Sequence, residues 1–352
     1  MRFIPPRCPR PDCTAHRDPV GRWFVRQGSY QPKCRRSPIP RFRCRNCHLG
    51  FSRQTFRYDY RDHAPACNVP LLRLLTSGVG LRQSARLLAI DIHAVQRKLE
   101  KLAAVCAALH DNLSPRLASG RTFLLDEEET FEQASIWPVT MPVLMEKETW
   151  FVVATDAAPI RRLAPLGSAR RRLQEESERR HGRRPDGSRA SVRRTLRALA
   201  QRLDGGTLVL RTDEKSSYAT LVREVFRGAA KHKTTSGRAP RTKRNPLFPI
   251  NTTLAMTRDN NGRLRRRSWL VSKRCACLQQ QMCLFVVYRN YVRYRFNRDA
   301  WNDTPARMLG LLPRALQLRE VLAWRQDWGQ SSIHPMSSTA QRSVATAPRA
   351  VA

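Results

Sequence analysis

Acidic side chains are scarce in this chain: 28 Asp and Glu stand against 65 Lys and Arg in 352 residues, a formal charge of +37. With a pI near 11.4, that balance lies outside the range of an ordinary soluble enzyme and calls for a polyanionic partner, nucleic acid first. An anionic membrane surface is the rival, but the cations are spread along the chain rather than gathered beside an apolar anchor. Long apolar runs are also missing. No stretch reaches about 18 residues, which excludes a transmembrane helix. The start, Met1 to Cys8, lacks the apolar core of a signal peptide, so a cytoplasmic, nucleoid-associated location is expected. Ten cysteines in such a chain point to metal ligands and buried thiols rather than disulfides. The length suits two or three domains.

What is present begins with two cysteine pairs, Cys8 with Cys13 and Cys44 with Cys47. Each can put two thiolates on one side of a turn, and together they complete a tetrahedral zinc shell, so residues 1–62 are expected to form a zinc ribbon. Phe42 and Phe51 are apolar residues of the kind that pack around such knuckles. Cys34 and His48 are substitute ligands without a partner at knuckle spacing. Arg35, Arg36, Arg41, Arg43, Arg45 and Arg53 favour phosphate contact.

Residues 63–112 read as three short helices, broken at Ser77-Gly78 and at Ala89-Ile90-Asp91, the order of a helix-turn-helix DNA-binding domain. Gln83, His93, Gln96, Arg97 and Lys101 would then face the DNA groove. From about 118 the pattern turns to strands: Arg121 to Asp126, Met141 to Met145, Trp150 to Asp156 and Thr207 to Asp213. An Arg-rich insertion, 157–203, whose second half has helical spacing, interrupts them. A helix near 215–226, a strand near 229–234 and a helix over Pro249 to Lys273 follow. In the last of these, Asn251, Arg258 and Arg265 lie seven apart and are expected on one face. Three antiparallel strands, helix, strand, helix, strand and long helix match an α/β, ribonuclease-H-like core over 118–300. In it Asp126 on the first strand and Asp213 at the end of the fourth would emerge side by side, beneath the long helix. Glu128 and Glu214 are expected to point away from them.

Beyond Lys273, Leu278 to Phe296 reads as a helix holding Cys275, Cys277 and Cys283 as buried thiols. Its Arg289, Arg293, Arg295 and Arg298 interleave with Tyr288, Tyr291 and Tyr294, which suits either a nucleic-acid-facing surface or a packing helix. A helical extension over 301–330 and a disordered Ser/Thr/Ala-rich tail over 331–352 are expected to complete the chain.

At the level of motifs the chain resembles DDE-class insertion-sequence transposases, the small zinc-ribbon-headed bacterial type of the insertion-sequence-one family. The likeness spans most of residues 8–295. Ile250, Arg258, Arg263-Leu264 and Val271-Ser272-Lys273 keep the register of that family's third catalytic helix. Asp126-Glu127 matches its first acidic motif and Thr212-Asp213 its second. Where the family carries its catalytic Glu, this chain has Asn251. The resemblance implies an enzyme that binds terminal inverted repeats and target DNA as a homo-oligomer, with no membrane partner. It would cut and join DNA at Asp126, Asp213 and Asn251, with Asp126 and Asp213 sharing Mg²⁺ or Mn²⁺ and Arg258, Arg265 and Lys273 contacting DNA. A structural Zn²⁺ would sit on Cys8, Cys13, Cys44 and Cys47. Two other readings stand beside it: a degenerate, non-catalytic DNA-binding protein or repressor, motivated by Asn251, and a basic zinc-containing RNA-binding protein.

Overall fold

A computed structural model describes residues 3–32, 37–265, 270–296 and 303–323. The expected tail, 331–352, lies outside them, as do Cys34, Arg35, Arg36 and Arg298. In chain order the elements begin with α1 (Thr14–Arg17), β1 (Phe24–Tyr30), β2 (Ile39–Cys44) and β3 (Gly50–Ser52). Three helices follow, α2 (Asn68–Thr76), α3 (Leu81–Leu87) and α4 (Ile92–Leu113). The next group is β4 (Thr122–Phe131), β5 (Pro138–Glu146), β6 (Val152–Thr155), β7 (Ala158–Pro159), α5 (Ala169–His181) and α6 (Ser188–Ala200). Then come β8 (Leu208–Thr212), α7 (Ser216–Phe226), β9 (Ala230–Thr234) and α8 (Phe248–Asn260). The described chain closes with α9 (Cys275–Val287), a π-turn at Tyr288–Val292, α10 (Pro305–Met308) and α11 (Leu318–Ala323).

A small antiparallel sheet, β1-β2-β3, stands near the N-terminus. Phe42 and Phe51 pack beside the cysteines, 5.8 Å apart, with Trp23 stacked on Phe51. Alternation on β2 buries Phe42 and Cys44 and turns Arg41 and Arg43 outward.

The main sheet is mixed, in the order β6-β5-β4-β8-β9, with β7 added to β5. β4, β5 and β6 pair antiparallel, whereas β4 with β8 and β8 with β9 pair parallel. β5 is buried along its whole length because strands flank it and helices cover both faces. Phe123, Leu125, Leu144 and Leu210 meet Val192, Leu196 and Leu199 of α6 and Tyr218 and Leu221 of α7. On the opposite face, Leu124, Val143 and Met145 meet Ile250 and Leu254 of α8 and Met282 and Phe285 of α9. The first of these cores runs on without a break into Leu71, Leu75, Val95, Leu99 and Leu109 of α2 and α4 and Val321 and Leu322 of α11.

Several elements differ from their sequence-based outlines. β4 continues through the acidic cluster to Phe131, so Glu127, Glu128 and Glu129 alternate between the sheet's faces instead of forming a turn. α4 extends to Leu113, started by Asp91, whose carboxylate accepts from the His93 and Ala94 amides at 2.8 and 3.3 Å. The Arg-rich insertion contains a helix not expected, α5, capped by Ser168 and stopped at Gly182 (φ +82°). It carries the i,i+4 pairs Arg171–Glu175 and Glu176–Arg180 on a surface where only Gln174 is buried. α8 stops at Asn260, and a 3₁₀ turn over Gly262–Leu264 redirects the chain. The stop is a packing event. Gly78 (φ +77°), just after α2, donates its N–H to the Asn260 carbonyl at 3.1 Å, and a Cβ there would lie 2.5 Å from the Asp259 carbonyl oxygen. A Cβ on Gly262 would in turn lie 2.8 Å from the Gly78 carbonyl oxygen.

A buried ion pair joins the ribbon–helix connection to α4. Lys98 donates to both Asp62 oxygens at 2.6 and 2.7 Å, to the Ala64 carbonyl and to Asn68 Oδ1 at 2.8 Å, with both charged side chains under 8% exposed. Breaking such a pair strands one charge. Asp62→Ala, which leaves the ammonium enclosed, is expected to lower stability by about 3–5 kcal/mol in urea unfolding, well beyond the effect of removing the exposed Arg116–Asp204 contact.

Candidate functional site

Two constellations stand out, one of sulfur and one of oxygen. In the first, Cys8, Cys13, Cys44 and Cys47 bring their sulfurs within 4.8 Å of one another. Cys8 and Cys47 are 3.5 Å apart and Cys13 and Cys44 3.7 Å. A tetrahedral zinc with bonds of about 2.3 Å needs sulfur–sulfur edges of about 3.8 Å, so the four thiols fit one ion. Cys8, Cys13 and Cys44 are buried and Cys47 half-buried; His48 is exposed and not among them. Burial pushes the Cys8 and Cys13 thiols up. At Cys47 burial also raises the pKa, but the Leu49 amide and the three neighbouring thiols draw it down to about 7. A cation among them displaces the remaining protons.

In the second, the parallel register of β4 and β8 runs Thr122↔Val209, Phe123↔Leu210 and Leu124↔Arg211. Continued two residues past the last pair, that register would set Asp126 level with Asp213, which follows the end of β8 at Thr212. Both continue the alternation that turns Leu124 toward α8, so the two carboxylates leave the same face of neighbouring strands. Asp126 accepts its own next amide, Glu127 N–H, at 2.7 Å, and Asp213 accepts Lys215 N–H at 3.1 Å. Burial, with the charges of Asp213, Glu127 and Glu128 behind it, pushes Asp126 up to about 6 despite the Glu127 amide. In a chain with 65 Lys and Arg, neither Asp forms an ion pair among the described residues.

α8 carries the third expected ligand. Ile250 and Leu254 seat the helix on the sheet, each worth about 2 kcal/mol of apolar burial. Arg258 pairs with Glu128, which fixes the helix's rotation more than it adds to stability. Glu128 shares a face of β4 with Asp126, two residues away, so it does not point away as expected. Asn251 lies on the same flank of α8 as Arg258, seven residues and about 10 Å earlier. That flank therefore looks onto the strand face that holds Asp126.

The remaining expected contacts divide. His93, Gln96 and Arg97 are exposed together on α4, and Lys273 is exposed after α8. Gln83 is half-buried with its Oε1 enclosed, pressed against Gly80, and presents no free amide oxygen outward. Lys101 donates to the Tyr60 carbonyl at 2.7 Å, so its ammonium is occupied by the ribbon connection. Arg258 is occupied by Glu128. Arg265 leaves the stripe because the helix has ended, and lies against Gly78 instead. Tyr291 is enclosed, bonded to His110 at 3.0 Å, and Arg289 is enclosed beneath Trp150, where burial lowers its pKa to about 9. This part of 278–296 is packing, not an outward surface.

No protein-family model matches the chain, and no curated protein does either. Among the described residues no helix is long and apolar enough to cross a membrane. Both constellations are thus defined by the geometry and chemistry of their side chains.

Two outcomes check them. Purified chain should carry about one zinc per molecule by metal analysis, and Cys44→Ser should lose most of it. Asp126 has a folded pKa above its unfolded value of 3.8, so the folded state binds more protons and stability falls as pH rises from about 4 to about 6. Asp126→Asn removes that penalty. It is expected to raise the stability of the Mg²⁺-free protein at pH 7.5 by on the order of 2 kcal/mol, and by little at pH 4.

Proposed function

We propose that the chain is a DNA-cutting and DNA-joining enzyme of the transposase type, with a ribonuclease-H-like core. The observation that carries this reading is the pair of carboxylates, Asp126 on β4 and Asp213 just past the end of the parallel β8, with no ion-pair partner among the described residues and close enough for the Asp213 charge to raise the Asp126 pKa. The strand order, with β5 antiparallel between β4 and β6 and the parallel β8 and β9 on the other side, supports the same core. The donors suit a hard divalent cation: two carboxylates, of which Asp126 has its pKa raised by burial and, behind that, by the charge of Asp213, a charge that a cation would offset. Mg²⁺ or Mn²⁺ there would polarise the scissile phosphate and activate a hydroxyl nucleophile, water or a DNA 3′ end.

The chain's own residues do the rest. Asp126 and Asp213 would hold the cation, and Asn251 can offer a neutral carbonyl oxygen from α8. The exposed arginines of β2 and His93, Gln96 and Arg97 on α4 supply phosphate and groove contacts. In this reading α3 and α4 act as a helix-turn-helix, and the four thiols hold a structural zinc ribbon. A homo-oligomer acting on paired inverted repeats completes the proposal.

Purified full-length protein with Mn²⁺ or Mg²⁺ should nick a supercoiled plasmid that carries its gene with the flanking sequence. Asp213→Ala should reduce nicking by at least about a hundredfold, the scale of losing a group that acts directly on the transition state; retained activity overturns the reading. The uncharged Asn251 favours a second reading, a DNA-binding remnant. It predicts binding without nicking in the wild type and activity gained in Asn251→Glu.

A further inference from the structure

We propose that Glu127 and Lys215 form a clamp that positions the Asp126–Asp213 pair, tying the strand that carries one carboxylate to the loop that carries the other. The inference rests on reading those two aspartates as the cation-binding pair.

Glu127 follows Asp126 on β4 and so turns to the opposite face of the sheet, where its side chain is 6% exposed. Its carboxylate is saturated. Oε1 accepts from the Lys215 ammonium at 2.7 Å and the Tyr218 hydroxyl at 2.8 Å. Oε2 accepts from the hydroxyl of Thr140 on β5 and, at 3.4 Å, from that of Ser188, the first residue of α6. Lys215 also donates to Ser188 Oγ at 2.9 Å.

The bonds form a chain from one aspartate to the other. The backbone N–H of Glu127 holds Asp126, the backbone N–H of Lys215 holds Asp213, and the side chains of Glu127 and Lys215 hold each other. The β4–β8 pairing ends at Leu124↔Arg211, two residues short of the aspartates. Past that point the strands carry like charges that push apart, and the clamp bridges them from behind. Both members are therefore positioning residues, reached only through the backbone of the residues they set.

A full positive charge near a cation-binding pair repels the cation. On charge alone, removing Lys215 would tighten binding; on the clamp, it weakens it. The opposite signs make Lys215→Met the deciding variant, and at 38% exposure its loss does not open the core.

The experiment titrates Mn²⁺ into zinc-loaded, full-length protein without DNA and follows the free-ion signal by electron paramagnetic resonance. Asp126→Asn defines the specific component, and Arg193→Met, which breaks the exposed Arg193–Glu224 pair, controls for a lost surface cation. Glu127→Gln, whose amide would present protons to Lys215, is expected to weaken Mn²⁺ binding about tenfold or more, as loss of a ligand's hydrogen-bonded support does. Lys215→Met is expected to weaken it several-fold and Arg193→Met to leave it unchanged. Unchanged or tighter binding in Lys215→Met overturns the clamp while leaving the cation site intact. Wild-type protein without Asp126-dependent Mn²⁺ binding overturns the site and the clamp together.

Discussion

The architecture turns on the parallel pairing of β4 with β8. A single residue of slip would send one aspartate to the far side of the sheet, because side chains alternate along a strand. Continued past Leu124↔Arg211, that register turns both carboxylates toward α8, and burial, with the neighbouring acidic charges behind it, pushes the Asp126 pKa up to about 6. Such a pair persists only where the surroundings over-determine it. Here the apolar rows Phe123–Leu210 and Leu124–Met145 fix the register from inside the core, and the polar cluster at Glu127 fixes it from beneath.

Charge is distributed to match. The few acids are mostly spent internally: Asp62 on Lys98, Glu128 on Arg258, Glu132 on Arg184, Glu178 on Arg161 and Asp156 on Arg194. These pairs cross-link strands, helices and the insertion, and leave the outer surface overwhelmingly cationic. Among the described residues Asp126, though largely buried, and Asp213 form no ion pair. Their neighbours, Glu127 and Glu128, have partners on opposite faces of the same strand, which shows how finely the sheet sorts its carboxylates.

The legible parts of the sequence were those where chemistry restricts spacing. Four cysteines in two close pairs admit few arrangements, and the structure brings those four together. Strands rich in Val, Leu and Phe announced the sheet. The failures have physical causes. Consecutive glutamates are poor strand formers in isolation, so β4 looked shorter than it is, and counting alternation from its true extent would have turned Glu128 toward Asp126. α5 lacks an apolar stripe, since its i,i+4 pairs replace one. For Arg289 and Tyr291 the sequence fits a surface and a packing helix equally, because residue type says little about enclosure by a distant Trp150 or His110. The stripe Asn251–Arg258–Arg265 assumed an uninterrupted helix, and a contact from Gly78, far away in sequence, ends it.

That contact joins two distant parts of the chain. Gly78 closes α2, and its backbone lies so near the last turn of α8 and the following Gly262 that no methyl group fits between them. The two segments mesh like teeth. With hydrogen as the side chain at both positions, the spacing between the end of α2 and the end of α8 is set by backbone against backbone, and a larger side chain at either would have to part the two segments.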